Sequence, residues 1–314
     1  MVAVVIMAAT VSGAVAGAPA GSVTSGGVVH HDVSPGPMTA PTGATLHREP
    51  SIIGDDNRTR VTDTSAFPYS AIARVEAIDD AGQLAEVCSG ALVGPDAVLT
   101  AGHCLWNPES GAWAKHIRVV PGKDGTSEPF GAAFATDWWV PDGFIATGGN
   151  ADFDWGLIRL PDDRLGRAAR WFAMSVLDDD ALAAGGFAPA IAGYPADEPE
   201  GTMWVAATSG FASIEPFTLW YDIDTEAGES GAAIWSSNPA APSFGRVVGI
   251  HTRGATGSPA LNSGSRVDQQ LVDDLLAACG ELRCTVDVAA APSGPARPAG
   301  GHPYGAVGPA IARD

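Results

Sequence analysis

Three short segments carry the residue types that acyl transfer requires. His103 lies in VLTAGHC, Asp154 in DFDWGLIRL and Ser230 in GESG. A hydroxyl is a usable nucleophile when an imidazole accepts its proton and a carboxylate holds that imidazole in one tautomer. These residues therefore form a candidate catalytic triad. Asp152, two residues before Asp154, is the alternative carboxylate.

The glycine before the serine adds a second feature of such sites. The backbone N–H groups of Gly228 and Ser230 are candidates for an oxyanion hole, and Gly228 has no Cβ to block access. The order along the chain is His, Asp, Ser, whereas the α/β-hydrolase order starts with Ser and requires G-x-S-x-G. Ala232 stands where that motif needs its second glycine. The order is instead that of a chymotrypsin-like double barrel.

Short apolar segments separated by turn residues must position these side chains. With 39 Gly and 24 Pro, the chain suits many short strands better than long helices. We predict an all-β fold whose clearest strands are residues 71–78, 90–93, 117–120, 156–160 and 246–250. One amphipathic helix is predicted over residues 267–278, with an apolar face made by Leu271, Val272, Leu275 and Leu276.

Composition excludes several classes of function. The chain has 314 residues, 46% of them hydrophobic, and a formal net charge of −19. So negative a surface disfavours nucleic acid and anionic membranes as partners. No His/Cys cluster has zinc spacing, and no glycine-rich phosphate loop follows a strand. We therefore expect neither a metal nor a cofactor.

The two ends of the chain differ from its middle. Residues 1–20 are apolar and close on small residues, which predicts a secretory signal peptide and an extracellular location; a transmembrane anchor is the alternative. Residues 21–50 have the composition of a pro-segment or linker, and residues 289–314 form a Pro/Gly/Ala-rich tail. The folded domain is expected over residues 51–288, as a monomer without membrane contact once the signal is removed.

The middle of the chain resembles the bacterial glutamyl endopeptidases, which are trypsin-like serine proteases. The resemblance lies in SIIGDDNRTRVT from Ser51, AGYP, GTMW, the segment YDIDT before the serine motif, and GIHT after it. It implies two six-stranded barrels with the site between them, and a zymogen cut near Pro50–Ser51. It also implies that Ser230 is the nucleophile, His103 the general base and Asp154 the orienting carboxylate.

The resemblance extends to the cysteines. It implies a disulfide between Cys88 and Cys104 beside the candidate histidine. Four cysteines is an even number, which suits an exported protein. Cys279 and Cys284, at the end of the predicted helix, match no pair in the family, and their spacing alone predicts a small second loop.

Substrate preference is expected to depend on Thr225 and His251, which match the family positions that bind a glutamate side chain. A hydroxyl and a partly protonated imidazole can hold a carboxylate, so we expect cleavage of proteins and peptides after Glu, then Asp. Asp224 supports the alternative of cleavage after Arg or Lys.

Glu229 departs from the family pattern. Its negative charge beside the oxyanion site favours a second alternative, a non-catalytic secreted binding protein on the same fold. The α-ammonium freed at Ser51 is a candidate partner for this charge.

Overall fold

The computed structural model of the chain describes residues 28–30, 51–241 and 243–289. The predicted signal peptide lies outside these residues, as do most of the linker and nearly all of the tail. No helix in the described part is both long and apolar enough to cross a membrane.

Strands are the main regular secondary structure of the described residues. There are nineteen: β1 Val28–His30, β2 Thr59–Arg60, β3 Ile72–Ile78, β4 Leu84–Leu92, β5 Ala97–Thr100, β6 Trp106–Asn107, β7 Ala112–Trp113, β8 His116–Pro121, β9 Ala133–Phe134, β10 Asp137–Trp139, β11 Gly156–Arg159, β12 Ala173–Met174, β13 Pro189–Gly193, β14 Trp204–Ala207, β15 Ser213–Ile214, β16 Thr218–Tyr221, β17 Ala233–Ser236, β18 Arg246–Thr256 and β19 Leu261–Arg266. The predicted all-β class is confirmed. All five predicted strands are present, and β4 and β18 are longer than the sequence indicated.

Helices are few and mostly short. The α-helices are α1 Asp142–Ala146, α2 Arg164–Ala169, α3 Asp179–Ala183 and α4 Gln269–Leu282, and single turns of 3₁₀ helix cover Tyr69–Ala71, Gly102–Cys104 and Ala151–Phe153. One of these turns carries His103, and another directly precedes Asp154.

Two large curled sheets contain all the strands except β6 and β7, which pair with each other. The first has the order β1-β10-β11-β5-β4-β3-β8-β9, and the second has the order β15-β16-β19-β18-β17-β13-β14-β2 with β12 added beside β18. The resemblance implied six strands per barrel. The two sheets have eight and nine strands, because they also include several strands of only two or three residues. Strand β1 lies in the segment expected to be a linker and pairs with β10.

The main apolar core joins the two sheets. Its buried members include Val75 of β3, Leu157 of β11, Ile250 of β18 and Leu275 of α4. A second cluster lies within the second sheet and includes Ile234 and Val248. The loops between the sheets are therefore anchored on a shared core.

Helix α4 closes the fold but differs from its prediction. It begins at Gln269 because Asp268 caps it, accepting a hydrogen bond from the Leu271 amide at 2.7 Å. It ends at Leu282, followed by Arg283 in the left-handed region. Leu271, Val272 and Leu275 are buried as expected, but Leu276 is 46% exposed. The buried face continues through Ala278, Cys279 and Leu282. The prediction that Leu276 belongs to this face is therefore wrong.

Both cysteine pairs are disulfide-bonded. Cys88–Cys104 ties β4 to the turn that carries the candidate histidine, across 16 positions of sequence. Cys279–Cys284 joins the last turn of α4 to the residues that follow it.

The two adjacent leucines of α4 give a matched test of this packing. Leu275→Ala should lower the free energy of unfolding by about 2–5 kcal/mol, because it leaves a cavity in the core. Leu276→Ala, the same change on the exposed face, should cost no more than about 0.5 kcal/mol. Urea unfolding followed by tryptophan fluorescence measures both. Equal losses would contradict the described helix orientation.

Candidate active site

Strand register brings the candidate histidine and aspartate together. Strands β5 and β11 are antiparallel, with Thr100, the last residue of β5, opposite Gly156, the first residue of β11. The chain after Thr100 and the chain before Gly156 therefore leave the sheet at the same edge. His103 lies three residues beyond one end, and Asp154 lies two residues before the other.

Asp154 holds His103 at two points. Its Oδ2 lies 2.8 Å from the imidazole Nδ1, and its Oδ1 accepts the backbone N–H of His103 at 2.9 Å. The Asp154 carboxylate is buried and the imidazole is 23% exposed. A carboxylate bonded to Nδ1 favours the tautomer whose Nε2 is free to accept a proton.

Asp152 occupies a different position. Its backbone N–H donates to the Asn150 side chain at 3.0 Å, within the short helical turn before Asp154. It lines a separate small cavity with Trp155 and Arg266. The geometry therefore favours Asp154 over Asp152 as the partner of His103.

The loop that carries Ser230 is attached to the first sheet through Ser89 of β4. The Ser89 amide donates to the Ser230 carbonyl at 2.8 Å. The Ser89 hydroxyl donates to the Gly228 carbonyl at 2.8 Å and accepts the Tyr194 N–H at 3.0 Å. We call these three hydrogen bonds the Ser89 clamp. Sequence analysis missed it, since a lone serine between a cysteine and a glycine gives no distinctive signal.

Glycine is required at two positions of the motif, one before and one after Ser230. Gly228 has φ +96° and Gly231 has φ +85°, a region that other residues rarely adopt. A Cβ on Gly228 would lie 2.4 Å from the Tyr194 carbonyl oxygen. Within the described residues, the amides of Gly228 and Ser230 donate no hydrogen bond, whereas the amide between them, of Glu229, donates to Glu226 at 3.0 Å. Two backbone donors are thus available beside the Ser230 hydroxyl.

One cavity of about 640 Å³ contains the candidate groups. Its lining includes His103, Asp154, Gly228, Ser230 and His251. The Ser230 hydroxyl has no hydrogen-bond partner among the described residues. Bonds between nucleophile and base are often long in the free enzyme and tighten when substrate binds.

Surrounding charges set the basicity of His103. Burial by itself lowers the pKa of His103, but Asp154 more than offsets this, so the pKa is raised above 6.5. Glu86 raises the pKa further and Arg253 lowers it. Both line the cavity, and neither was identified from the sequence.

His251 is neutral at physiological pH. It is 3% exposed, and its Nδ1 shares a 2.8 Å hydrogen bond with the Tyr221 hydroxyl. Burial first, and then the nearby His103, lowers the pKa of His251 to about 3. The expectation of a partly protonated imidazole is therefore wrong, because the desolvation of a buried cation was not visible in the sequence.

Thr225 is buried beside this region, but it is not among the residues that line the cavity. Its amide donates to the Ser51 carbonyl at 3.3 Å. Its hydroxyl has no partner among the described residues. His251 therefore lines the same cavity as Ser230. Thr225 is buried outside the lining, and its hydroxyl has no partner among the described residues.

The Asp224 carboxylate forms hydrogen bonds with the backbone of another segment. Its two carboxylate oxygens accept the backbone N–H groups of Ile53 at 2.7 Å and Asn57 at 3.0 Å. It is 1% exposed, and it does not line the cavity. This contact anchors the segment after Ser51, and it leaves Asp224 unsuited to binding an Arg or Lys side chain.

Glu229 has a cationic neighbour that the sequence did not indicate. The Arg58 guanidinium Nη1 lies 3.7 Å from its Oε2. Ser51, the partner considered from the sequence, instead lines the cavity, and its carbonyl accepts a hydrogen bond from Asn262 at 2.7 Å.

Two groups of metal-ligating atoms occur in the described residues. One comprises Cys88, His103 and Cys104, and the other comprises Asp56, Asp197 and Glu198. The cysteines are joined in a disulfide and offer no thiolate, while Asp56 and Asp197 both bind Arg58. The first group therefore offers no free thiolate, and in the second group two of the three carboxylates already pair with a cation.

Two curled antiparallel sheets, with histidine, aspartate and serine in a cavity between their loops, define a serine protease of the chymotrypsin fold. The family model described as Trypsin matches residues 57–268, which is more than half of the chain. The chain therefore belongs to the trypsin family of serine proteases, which hydrolyse proteins and peptides.

Of two similar proteins, one has a name that agrees with this assignment and the other is named as a protease of a different class. The chain is 34% identical over 227 residues to a glutamyl endopeptidase of Bacillus licheniformis, covering 72% of this chain and 68% of the relative. It is 30% identical over 225 residues to a Bacillus subtilis protein named extracellular metalloprotease, with the same coverages.

Solved structures show the same fold. A Glu endopeptidase aligns with a TM-score of 0.63 and 28% identity, covering 73% of this chain and 99% of that one. The protease Anisep of Arthrobacter nicotinovorans aligns with a TM-score of 0.55 and 22% identity, covering 71% and 99%.

The two aspartates before β11 give a matched test of the site. Asp154→Asn should lower kcat by about 10⁴-fold, because the wrong imidazole tautomer is then favoured. It should also move the acidic limb of the kcat/KM profile from above about 6.5 to a lower pH, since burial would then act on His103 without its counter-charge. Asp152→Asn should change neither quantity. A large loss with Asp152→Asn instead would exchange the two roles.

Proposed function

We propose that this protein is a secreted endopeptidase that cleaves after Glu, and less well after Asp, through an acyl-enzyme on Ser230. The observation that carries this proposal is that the buried His251 lines the same cavity as Ser230. The buried Thr225 hydroxyl, which has no partner among the described residues, supports it. The relative named glutamyl endopeptidase supports the same substrate class.

The catalytic cycle uses the groups that line the cavity. His103 Nε2 takes the proton from the Ser230 hydroxyl as its oxygen bonds to the substrate carbonyl carbon. The negative carbonyl oxygen is stabilised by the N–H groups of Gly228 and Ser230. The C–N bond then breaks, and His103 gives its proton to the leaving amine. Water repeats the sequence on the acyl-enzyme and frees Ser230.

A neutral His251 can still recognise a carboxylate. When the Tyr221 hydroxyl donates to Nδ1, the Nε2 of His251 carries the proton and can donate it. The unpartnered Thr225 hydroxyl supplies a second donor nearby. Because Asp224 binds backbone amides and does not line the cavity, its carboxylate is not directed at a glutamate there.

Arg253 adds positive charge to the cavity. It is the one Lys or Arg among the described residues that line it, and its side chain is held by a 3.3 Å hydrogen bond to the Gly149 carbonyl. A protein with a net charge of −19 repels acidic peptides at long range. Glu86, Glu109 and Glu226 also line the cavity, so Arg253 is the local charge that would favour a Glu-containing substrate there.

Maturation before Ser51 would add a second cation. Ser51 lines the cavity, so cleavage of the Pro50–Ser51 bond would place an α-ammonium at its wall, with an ordinary pKa of about 7.7–8.0. We propose that residues 1–20 direct export, that residues 21–50 are removed, and that the mature enzyme is a monomer without membrane contact.

A panel of peptides that differ only at the residue before the scissile bond tests the proposed specificity. Cleavage should be fastest after Glu and absent in Ser230→Ala. His251→Ala should lower kcat/KM for the Glu peptide about 10- to 150-fold, since it removes one hydrogen bond to a charged group. Cleavage after Arg that Asp224→Asn abolishes would assign the pocket to Asp224. A folded protein that cleaves no peptide would favour the binding-protein alternative.

The start of the mature chain can be tested separately. A protein that begins at Ser51 should have a lower KM for the Glu peptide than one with a single extra glycine before Ser51. The difference should shrink as the pH rises above about 8, where the α-ammonium loses its proton. Identical KM values for the two proteins between pH 6 and pH 9 would refute a role for this amine.

A further inference from the structure

A buried acidic side chain lies inside the candidate oxyanion loop. Glu229, between Gly228 and Ser230, is 1% exposed. Burial raises its pKa to about 8, even though the Arg58 guanidinium lowers it, which means that a carboxylate is costly at this place and depends on that cation. The neighbouring cation is the Arg58 guanidinium.

Two partly exposed carboxylates hold Arg58 in this position. Its side chain is 1% exposed, and it pairs with Asp56 at 2.8 Å and Asp197 at 2.7 Å. Those two carboxylates are 43% and 38% exposed, so water solvates them in part. Glu229, 3.7 Å from the same guanidinium, has no comparable access to water. Two surface carboxylates thus orient a cation toward one buried carboxylate.

The Glu229 side chain braces the turn that holds the oxyanion donors. Its Oε2 accepts the backbone N–H of Glu226 at 2.8 Å, while its own backbone N–H donates to the Glu226 carbonyl at 3.0 Å. These two hydrogen bonds close residues 226–229 into a turn that contains Gly228 at φ +96°. Movement of the carboxylate toward solvent would open the turn and reorient the peptide groups around Gly228.

We propose that Arg58 is a positioning residue for the oxyanion hole: its guanidinium keeps the Glu229 carboxylate buried, and Glu229 in turn holds the amides of Gly228 and Ser230 in place. The inference rests on the role proposed above for these two amides. Because Arg58 is an internal side chain, this compensation does not depend on cleavage before Ser51.

The test compares variants of the protein that begins at Ser51, on whichever peptide the wild type cleaves fastest. Arg58→Met removes the charge but keeps most of the volume. It should lower kcat by about 10²–10³-fold, as loss of an oxyanion donor does, and leave KM within twofold. Affinity for the matching peptide aldehyde, whose adduct carries an oxyanion, should fall in parallel with kcat. Affinity for the peptide acid product should not change.

A second change separates charge compensation from general stability. Glu229→Gln keeps an acceptor for the Glu226 N–H without needing a cation, so this variant should stay within about tenfold of the wild-type kcat. Arg58→Met in the Glu229→Gln background should then cost little more. The control is Arg60→Met on β2, whose exposed guanidinium pairs with Asp124; it should leave kcat unchanged.

Three results would overturn the proposal. These are an unchanged kcat in Arg58→Met, an equal loss of kcat whether residue 229 is Glu or Gln, and parallel losses of aldehyde and product affinity. The assay uses the peptide that the wild-type protein cleaves fastest. A preference other than Glu would therefore refute the proposed specificity, but the comparison of Arg58→Met with the wild type would still test the role of Arg58.

Discussion

The Ser89 clamp is the contact on which the site geometry depends most. The two sheets carry different parts of the candidate machinery: His103 and Asp154 belong to the first, and Ser230 belongs to the second. Ser89, fully buried on β4, bonds to the carbonyls of both Ser230 and Gly228. The Thr100 hydroxyl, at the end of the strand that leads to His103, donates to the Ser89 carbonyl at 2.7 Å. The loop that carries the candidate nucleophile is therefore hydrogen-bonded to the strands that position the candidate base.

Three buried carboxylates lie in the candidate site or in the segments next to it, and each has its own partner. Asp154 binds the imidazole and backbone of His103. Asp224 accepts two backbone amides of the segment after Ser51, and Glu229 lies beside Arg58. A carboxylate taken from water needs such partners. The chain has a net charge of −19, yet of these three acidic groups only Asp154 lines the cavity.

The chemistry of the candidate pocket follows from burial more than from formal charge. His251 is desolvated, so it acts as a neutral donor rather than as a cation. Positive charge is instead supplied from the cavity wall by Arg253, which remains exposed. In the proposed pocket, this division would let a buried group select a substrate by hydrogen bonds while a solvated side chain attracts it.

The sequence by itself determined the all-β class, five of the strands, the closing helix and the types and order of the candidate catalytic residues. These features are encoded in local periodicity, turn residues and short motifs. Local patterns carry no information on which distant segments meet. The exposure of Leu276, the commitment of Asp224 to the segment after Ser51, the Ser89 clamp and the contact of Arg58 with Glu229 were all decided by tertiary structure. Strand register and the packing of two sheets on one core bring these residues together, and desolvation then sets the charge that each of them carries.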